Sequence, residues 1–360
     1  RPRGFLRSPT NDWWMRLKAE QERSLIIGML TTLGAGTAEA ASVAEVTTEA
    51  DLRGYPSQGL MRFPMLARRT RSGSIMTRTV PEVVREMDSG AVMDGLAGYG
   101  QHVGIQAMDL AVRKAKAVGV GAVAVRNANH VGMCGYYAER AARKGCVGLA
   151  TSTTEAIVHP FGGLEPFLGT NPIAIAFPTL GDPLILDMAT CTMSMGRIME
   201  AAEEGRQLPP GCALDGDGRP TTDPSEALRG VLSPMAGPKG YGLGLFVAAM
   251  AALSGAALGR EVVGTITVDP PANKGDFYLA MDIGAFCPLE EFTERISEYF
   301  REVKGSASAP GFGEVLIPGE RSMRNRERSL EVGYEVYDDL WADLYELGMD
   351  IGFDIRSVLV

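Results

Sequence analysis

Between Ile105 and Thr151 the chain alternates helix and strand signals at a spacing that few folds accommodate. Ile105, Met108, Val112 and Ala115 recur at helical intervals, and Gly119-Val120-Gly121 closes that segment with glycine in its usual C-terminal role. Ala122-Val123-Ala124-Val125 is a short continuous apolar run, as expected of a strand buried on both faces. After the loop Arg126-Asn127-Ala128-Asn129-His130-Val131-Gly132, the spacing predicts a helix from Tyr136 to Lys144, ended by Gly145, and a second strand from Val147 to Thr151. This succession predicts an α/β layer.

The flanks are read more coarsely. Residues 1–23, rich in Arg, Pro and Trp, read as a peripheral extension. Residues 24–49 read as two helical pieces broken near Gly34-Ala35-Gly36; Lys18, Glu20, Glu22 and Arg23 crowd their front, which favours an amphipathic helix over a signal peptide. Asp51 to Arg62 is turn-rich, and a helix is predicted from Phe63. A glycine-rich loop starts near Met93, residues 152–196 read as strands and tight turns, and 200–238 read as loop-rich. Gly242 to Gly259 is eighteen residues without a charge; its four glycines favour a buried core helix over a membrane span. Val262–Val268 and Phe277–Met281 are predicted strands and Pro288–Val303 a helix, and Pro318-Gly319-Glu320 opens an acidic C-terminal helical region. The division is then 1–23, a helical region from 24–88 with 288–360, and a mixed α/β region from 89–287.

At 360 residues, 45% hydrophobic and 22% charged, the chain can bury a large core and is not a disordered one. A net charge of −9 without a long basic run argues against nucleic acid, yet leaves small anions open, because a single buried Arg can set the local field. Five scattered cysteines without a C-x-x-C pair, and only three histidines, argue against a disulfide framework or a metal site. They fit a reducing, cytoplasmic compartment.

His130 follows the end of a predicted buried strand, where open α/β sheets place their ligand crevices. Asn127 and Asn129 could orient its imidazole, and Gly132 and Gly135 would allow close approach to the following helix; the alternative is a structural histidine capping that helix. Asp187 closes the apolar run Leu184-Ile185-Leu186, where a carboxylate either holds a histidine in one tautomer or caps a helix. Arg62, four residues beyond Gln58, offers a fork matched to a carboxylate, or simply faces solvent. Gly240-Tyr241-Gly242-Leu243-Gly244 follows Pro238-Lys239 and not a strand, so it is no Rossmann fingerprint, although Lys239 and Gly240 could touch a phosphate. No P-loop, G-x-S-x-G elbow or HExxH motif occurs.

NANHVGMCGYYAERAARKG, GTNPIAIAFP, LILDMAT, PKGYGLGL and VLIPGE, in this order, resemble the malate/L-lactate/sulfolactate dehydrogenase family, which also holds ureidoglycolate dehydrogenase, diketogulonate reductase and cyclic-imine reductases. The likeness runs from about residue 24 to 350. It implies a non-Rossmann nicotinamide-binding α/β fold with a mixed central sheet in the 89–287 region, and a helical substrate and dimer region from the terminal segments. It implies a homodimer using NAD(H) or NADP(H), with no membrane or nucleic-acid partner, and hydride transfer to or from a small 2-oxo or 2-hydroxy acid or a cyclic 2-imino acid. His130 matches the family's proton-transferring histidine in N-S-x-H-F-G, with Asp187 a possible support, and Arg62 matches the arginine that binds the substrate carboxylate. Thr154, Asp187, Met188, Ala189, Thr190, Lys239, Gly240, Gly319 and Glu320 fall where the family contacts its cofactor.

Three departures accompany the match. Ser57-Gln58-Gly59 stands where the family carries S-H-G, Ala128 replaces a serine, and Val131 replaces an aromatic residue. Glutamine cannot titrate, so Ser57 and Gln58 are left to bind substrate and His130 carries the proton alone. An imine, already electrophilic when protonated, would suit such a site. The other reading is a non-catalytic relative that binds cofactor or metabolite as a sensor.

Overall fold

A computed structural model describes residues 14–358. A short strand, β1 (Trp14–Leu17), leads into α1 (Ala19–Thr32) and α2 (Thr37–Leu52), broken at Gly34-Ala35-Gly36 as the sequence predicts. The turn-rich segment forms two 3-10 turns, Pro56–Gln58 and Leu60–Arg62, ahead of α3 (Phe63–Ser72). There follow β2 (Glu82–Met87), β3 (Gly90–Asp94), α4 (Gly100–Val118), β4 (Val120–Arg126), α5 (Cys134–Ala142), β5 (Cys146–Ser152), β6 (Ile173–Phe177) and β7 (Leu184–Met188). Next come α6 (Met195–Glu203), β8 (Ala213–Leu214), β9 (Pro220–Thr221), α7 (Pro224–Arg229), β10 (Val231–Leu232), α8 (Pro238–Ala252) and β11 (Gly275–Asp282). The chain closes with α9 (Leu289–Lys304), α10 (Glu320–Val332), β12 (Tyr334–Tyr337) and α11 (Asp338–Ile351).

The central sheet has seven strands in the order β2-β3-β4-β11-β5-β6-β7. Only β3 and β4 pair in parallel, and every other neighbour is antiparallel, so the sheet is mixed. Helices α4 and α5 bury Met108, Ala111, Tyr137 and Ala138 against it, with Tyr278 of β11. Gly104 is required there, since a Cβ would stand 2.7 Å from both the Tyr137 ring and the Tyr278 hydroxyl. A second core joins α1, α2, α3 and α11 through Ile26, Met29, Val43, Phe63, Trp341 and Leu344.

Several expectations are corrected. Residues 14–23 are not peripheral: β1 pairs with β12, and Leu17 and Glu22 are buried. Within the loop-rich 200–238 segment stand the end of α6, α7 and a small sheet, β10-β8-β9, which the sequence reading did not name. No strand forms over Val262–Val268, because its carbonyls are taken by side chains: Arg62 donates to Thr265 O, and Arg69 to Thr267 O and Val268 O. The apolar helix spans 238–252 and is not wholly buried, since Leu245 and Phe246 are exposed. No helix among the described residues is long and apolar enough to cross a membrane.

Candidate active site

His130 sits in the loop between β4 and α5, at the C-terminal end of β4, and three features define its state. Its Nδ1 accepts the Gly132 N–H at 3.1 Å. Gly132 has φ +73°, a left-handed conformation that turns its N–H back toward the ring and suits glycine. A ring nitrogen that accepts from a backbone N–H carries no proton, so the neutral tautomer holds its hydrogen on Nε2. Burial, then the charges of Arg62, Lys274 and Arg69, push the His130 pKa well below the ordinary histidine range. His130 is thus a neutral imidazole presenting Nε2–H.

The other two histidines are engaged on both sides of their rings. His102 bonds Ser42 Oγ at 3.0 Å and Gln106 at 2.7 Å, and His159 bonds Pro160 O at 2.8 Å and Ser233 Oγ at 3.1 Å. Among the described residues, His130 alone keeps a ring nitrogen free of protein partners.

The asparagines flanking His130 do not orient the ring. Asn127, at φ +54°, donates to both oxygens of Asp94 at 3.1 Å. Asn129 is buried, donates to Ala97 O at 2.6 Å and Gly98 O at 3.0 Å, and accepts from Arg69 at 2.9 Å. Asn127 thus fastens the loop to the end of β3, and Asn129 to the segment after it.

Arg62 ends the second 3-10 turn and is half-buried. Thr265 O is its hydrogen-bond acceptor among the described residues, so most of its fork is uncommitted. Burial and the like charge of Arg69 lower its pKa, and Glu155 opposes them. Ser57 and Gln58 lie half-buried in the preceding turn, and no side-chain hydrogen bond engages either among the described residues. Gly196, at the start of α6, faces Ser57, with a Cβ there 2.7 Å from the serine Cβ.

Asp187 stands near the end of β7 and caps α5: its Oδ2 accepts the Gly135 N–H at 2.6 Å. Burial pushes its pKa up to about 6, against the Gly135 bond and the Arg53 charge. No hydrogen bond joins it to His130 among the described residues: His130 holds the Gly132 N–H ahead of α5, and Asp187 the Gly135 N–H in its first turn.

Two residues not anticipated from the sequence complete the site. Lys274, 1% exposed, donates to Ser152 Oγ at 3.2 Å and pairs with Asp276, whose other oxygen is buried without a partner among the described residues. Arg69 is buried and uses its guanidinium on Thr267 O, Val268 O, Pro270 O and Asn129. Arg69 lies seven residues beyond Arg62, a helical spacing that could have flagged it. Lys274 carried no such signal.

The expected cofactor residues fall into two groups. Thr170 joins Thr154 to Thr190: its N–H donates to Thr154 Oγ1 at 3.0 Å, and its carbonyl accepts Thr190 N–H at 2.9 Å and Oγ1 at 3.1 Å. Gly240, in the first turn of α8, packs so closely that a Cβ would lie 2.5 Å from Thr190 O. Met188 and Ala189 lead into this cluster, and Lys239 is exposed beside it without an ion pair among the described residues. Gly319 and Glu320 lie instead near the start of β7, where Ile185 N–H donates to Pro318 O at 3.3 Å. They line a cavity of about 610 Å³ between the β6–β7 turn, α9 and α10. Glu320 is occupied by the Ile317 N–H and Lys304. Among the described residues no group of three or more His, Cys, Asp or Glu could hold a metal ion.

Comparison with known proteins agrees with this geometry. The malate/L-lactate dehydrogenase family model matches residues 17–345. L-sulfolactate dehydrogenase of Methanocaldococcus jannaschii is 43% identical over 345 residues, covering 96% of this chain and all of that protein. Its solved structure superposes with a TM-score of 0.92, covering 96% of this chain and all of that one. Malate dehydrogenase of Pyrococcus horikoshii, at 36% identity, gives a TM-score of 0.87 over 95% of this chain and 97% of its own. Ureidoglycolate dehydrogenase (NAD(+)) of Escherichia coli O157:H7 is 33% identical over 91% of this chain and 94% of its own. The chain belongs to the malate/L-lactate dehydrogenase family and is an NAD(P)-dependent dehydrogenase.

Proposed function

We propose that this enzyme interconverts a small 2-oxo acid and its 2-hydroxy acid, that the acid carries a second anionic group, as malate and sulfolactate do, and that the resting site favours reduction. The observation that carries this reading is a neutral His130, Nε2 hydrogen outward, beside the largely uncommitted fork of Arg62. Positive charge from Arg62, Arg69 and Lys274 around one imidazole suits a multiply charged anion better than lactate. The sulfolactate and malate dehydrogenases among the relatives support the same class.

Residues of the first cofactor group fit a dinucleotide. Asn171 Oδ1, near Thr154 across Gly169, is a buried acceptor without a partner among the described residues, suited to N–H donors brought by a ligand. Lys239 at the start of α8 suits a phosphate. The nicotinamide, when bound, supplies or accepts hydride at substrate C2. Arg62 binds the carboxylate and fixes which face of C2 is presented, and Gln58 and Ser57 add hydrogen bonds. Nε2–H of His130 is given to the C2 oxygen. As charge grows on that oxygen the proton crosses to it; the Gly132 N–H and the surrounding cations stabilise the charge left on the ring, and water restores the proton. Oxidation runs the same steps backward: the ring gives its Nε2 hydrogen to water and takes the C2 hydroxyl proton at that nitrogen, with Nδ1 still accepting the Gly132 N–H. The test is turnover by the purified protein, with each nicotinamide cofactor, of oxaloacetate, sulfopyruvate, pyruvate and a cyclic 2-imino acid. Faster reduction of the imino acid or of pyruvate than of both dianions would overturn the assignment.

We also infer a homodimer built on α8. Leu245, Phe246 and Leu253 are exposed on it, and Phe161, itself exposed, packs beside Gly237 at its start. An apolar patch of this kind is usually covered by a partner. Phe246→Glu is expected to halve the mass measured by light scattering; an unchanged mass would move the interface elsewhere.

A further inference from the structure

Beneath the substrate turn lies a pair of carboxyl groups that the reaction does not use. Glu22 of α1 is fully buried, and Asp51 of α2 is 9% exposed. Neither oxygen of Glu22 accepts from an N–H or O–H donor among the described residues, and the neighbouring Thr48 hydroxyl is likewise buried without a partner. Asp51 is committed on one side: its Oδ2 accepts the Leu60 N–H at 2.6 Å. Gly59 is pressed onto the same carboxyl, where a Cβ would stand 2.1 Å from Oδ2. Leu60 begins the turn that ends in Arg62, and the Arg62 N–H bonds Gly59 O at 2.9 Å.

Two adjacent buried carboxyls cannot both ionise without a cation between them. The charged group facing the pair is Arg23, on α1 itself; α2 contributes the Thr48 hydroxyl and the substrate turn the Leu60 N–H. We propose that Glu22 and Asp51 share one proton and that this carboxyl pair positions Arg62 for the substrate carboxylate. The shared proton lets Asp51 keep a charge-assisted bond to Leu60 without the repulsion of a second anion. Held from below through Leu60 and Gly59, the turn fixes the direction of the Arg62 fork. Burial fits this arrangement, raising Asp51 to about 7 and Glu22 well above the ordinary carboxyl range.

This inference rests on the reading of Arg62 as the carboxylate anchor, and the experiment separates the two. KM and kcat for the best oxo acid are measured across pH 6 to 9, at saturating cofactor, in the full chain and in Glu22→Gln, Asp51→Ala and Arg62→Ala. Above about pH 7 the pair holds one proton and the wild-type KM should be level; uptake of a second proton as pH falls through about 7 neutralises Asp51, weakens its bond to Leu60 and should raise KM severalfold, with kcat little changed. Glu22→Gln carries a permanent N–H in place of the shared proton, so its KM should follow the wild-type profile. Asp51→Ala should raise KM roughly tenfold above pH 7 and remove the rise below it. A KM in Glu22→Gln that departs from the wild-type profile, or a wild-type KM in Asp51→Ala, overturns the proposal. Should Asp51→Ala fail to fold, the isosteric Glu22→Gln still decides. If Arg62→Ala leaves KM unchanged, the anchor reading fails instead.

Discussion

Replacing His130 by alanine is expected to lower kcat/KM for oxo-acid reduction by about 10²–10⁴-fold, with binding of the nicotinamide cofactor changed by no more than about twofold. The loss is large because no other described histidine has a free ring nitrogen and Gln58 cannot titrate. His130→Gln separates two modes of action. A glutamine amide still donates a hydrogen bond to the C2 oxygen, so the variant should retain part of the activity if wild-type His130 works as a neutral donor. An imidazolium acid would instead lose activity as pH rises through its pKa, whereas the neutral donor keeps kcat/KM level from the ordinary histidine range upward. Stability gives a second readout. The folded ring resists protonation, so below the ordinary histidine value the unfolded chain takes up a proton that the folded chain refuses. Wild-type stability therefore falls as pH falls through that range, and His130→Ala should flatten that dependence. An alanine variant with wild-type turnover would remove His130 from the chemistry altogether.

The segment that carries His130 was legible because sequence pattern and environment agree there. The run 122–125 is apolar because β4 is covered on both sides in mid-sheet, and glycines mark the ends of α4 and α5. β11 told a different story: it comes late in the chain yet inserts between β4 and β5, a placement that no local signal encodes. The β2–β3 hairpin escaped notice because Glu82-Val83-Val84-Arg85-Glu86-Met87 is exposed along its length and lacks a clean alternation. The two-residue strands β8, β9 and β10 are too short to leave a period. Val262–Val268 looked like a strand by composition, but Arg62, Arg69 and Glu155 satisfy its backbone groups in place of a ladder. The site was half legible for the same reason. His130, Arg62 and Asp187 stand at recognisable motif positions, whereas Lys274 and Asp276 act through burial that only the folded sheet creates.

Arg62→Ala should raise KM for the oxo acid by about 10²–10³-fold, the consequence of leaving a desolvated carboxylate without its charged partner. The effect on kcat should be smaller, since the carboxylate is bound equally in ground and transition states. Arg62→Lys should recover only part of the loss, because a single ammonium cannot reproduce the bidentate fork that fixes C2 against Nε2 of His130. The thermal midpoint should move the other way from activity. Without substrate, Arg62 is a half-buried cation repelled by Arg69 and bonded, among the described residues, only to Thr265 O, so its burial is a cost to the folded state that the substrate carboxylate relieves. Removing it should leave the midpoint unchanged or raise it slightly, whereas a structural arginine such as Arg53, clamped between Glu49 and Glu139 in the interior, should destabilise the protein when truncated. A fall in midpoint for Arg62→Ala comparable to that for Arg53→Ala, with KM unaltered, would make Arg62 a strut for the 263–270 segment and would leave the substrate carboxylate to another cation, with Lys274 next to be tried.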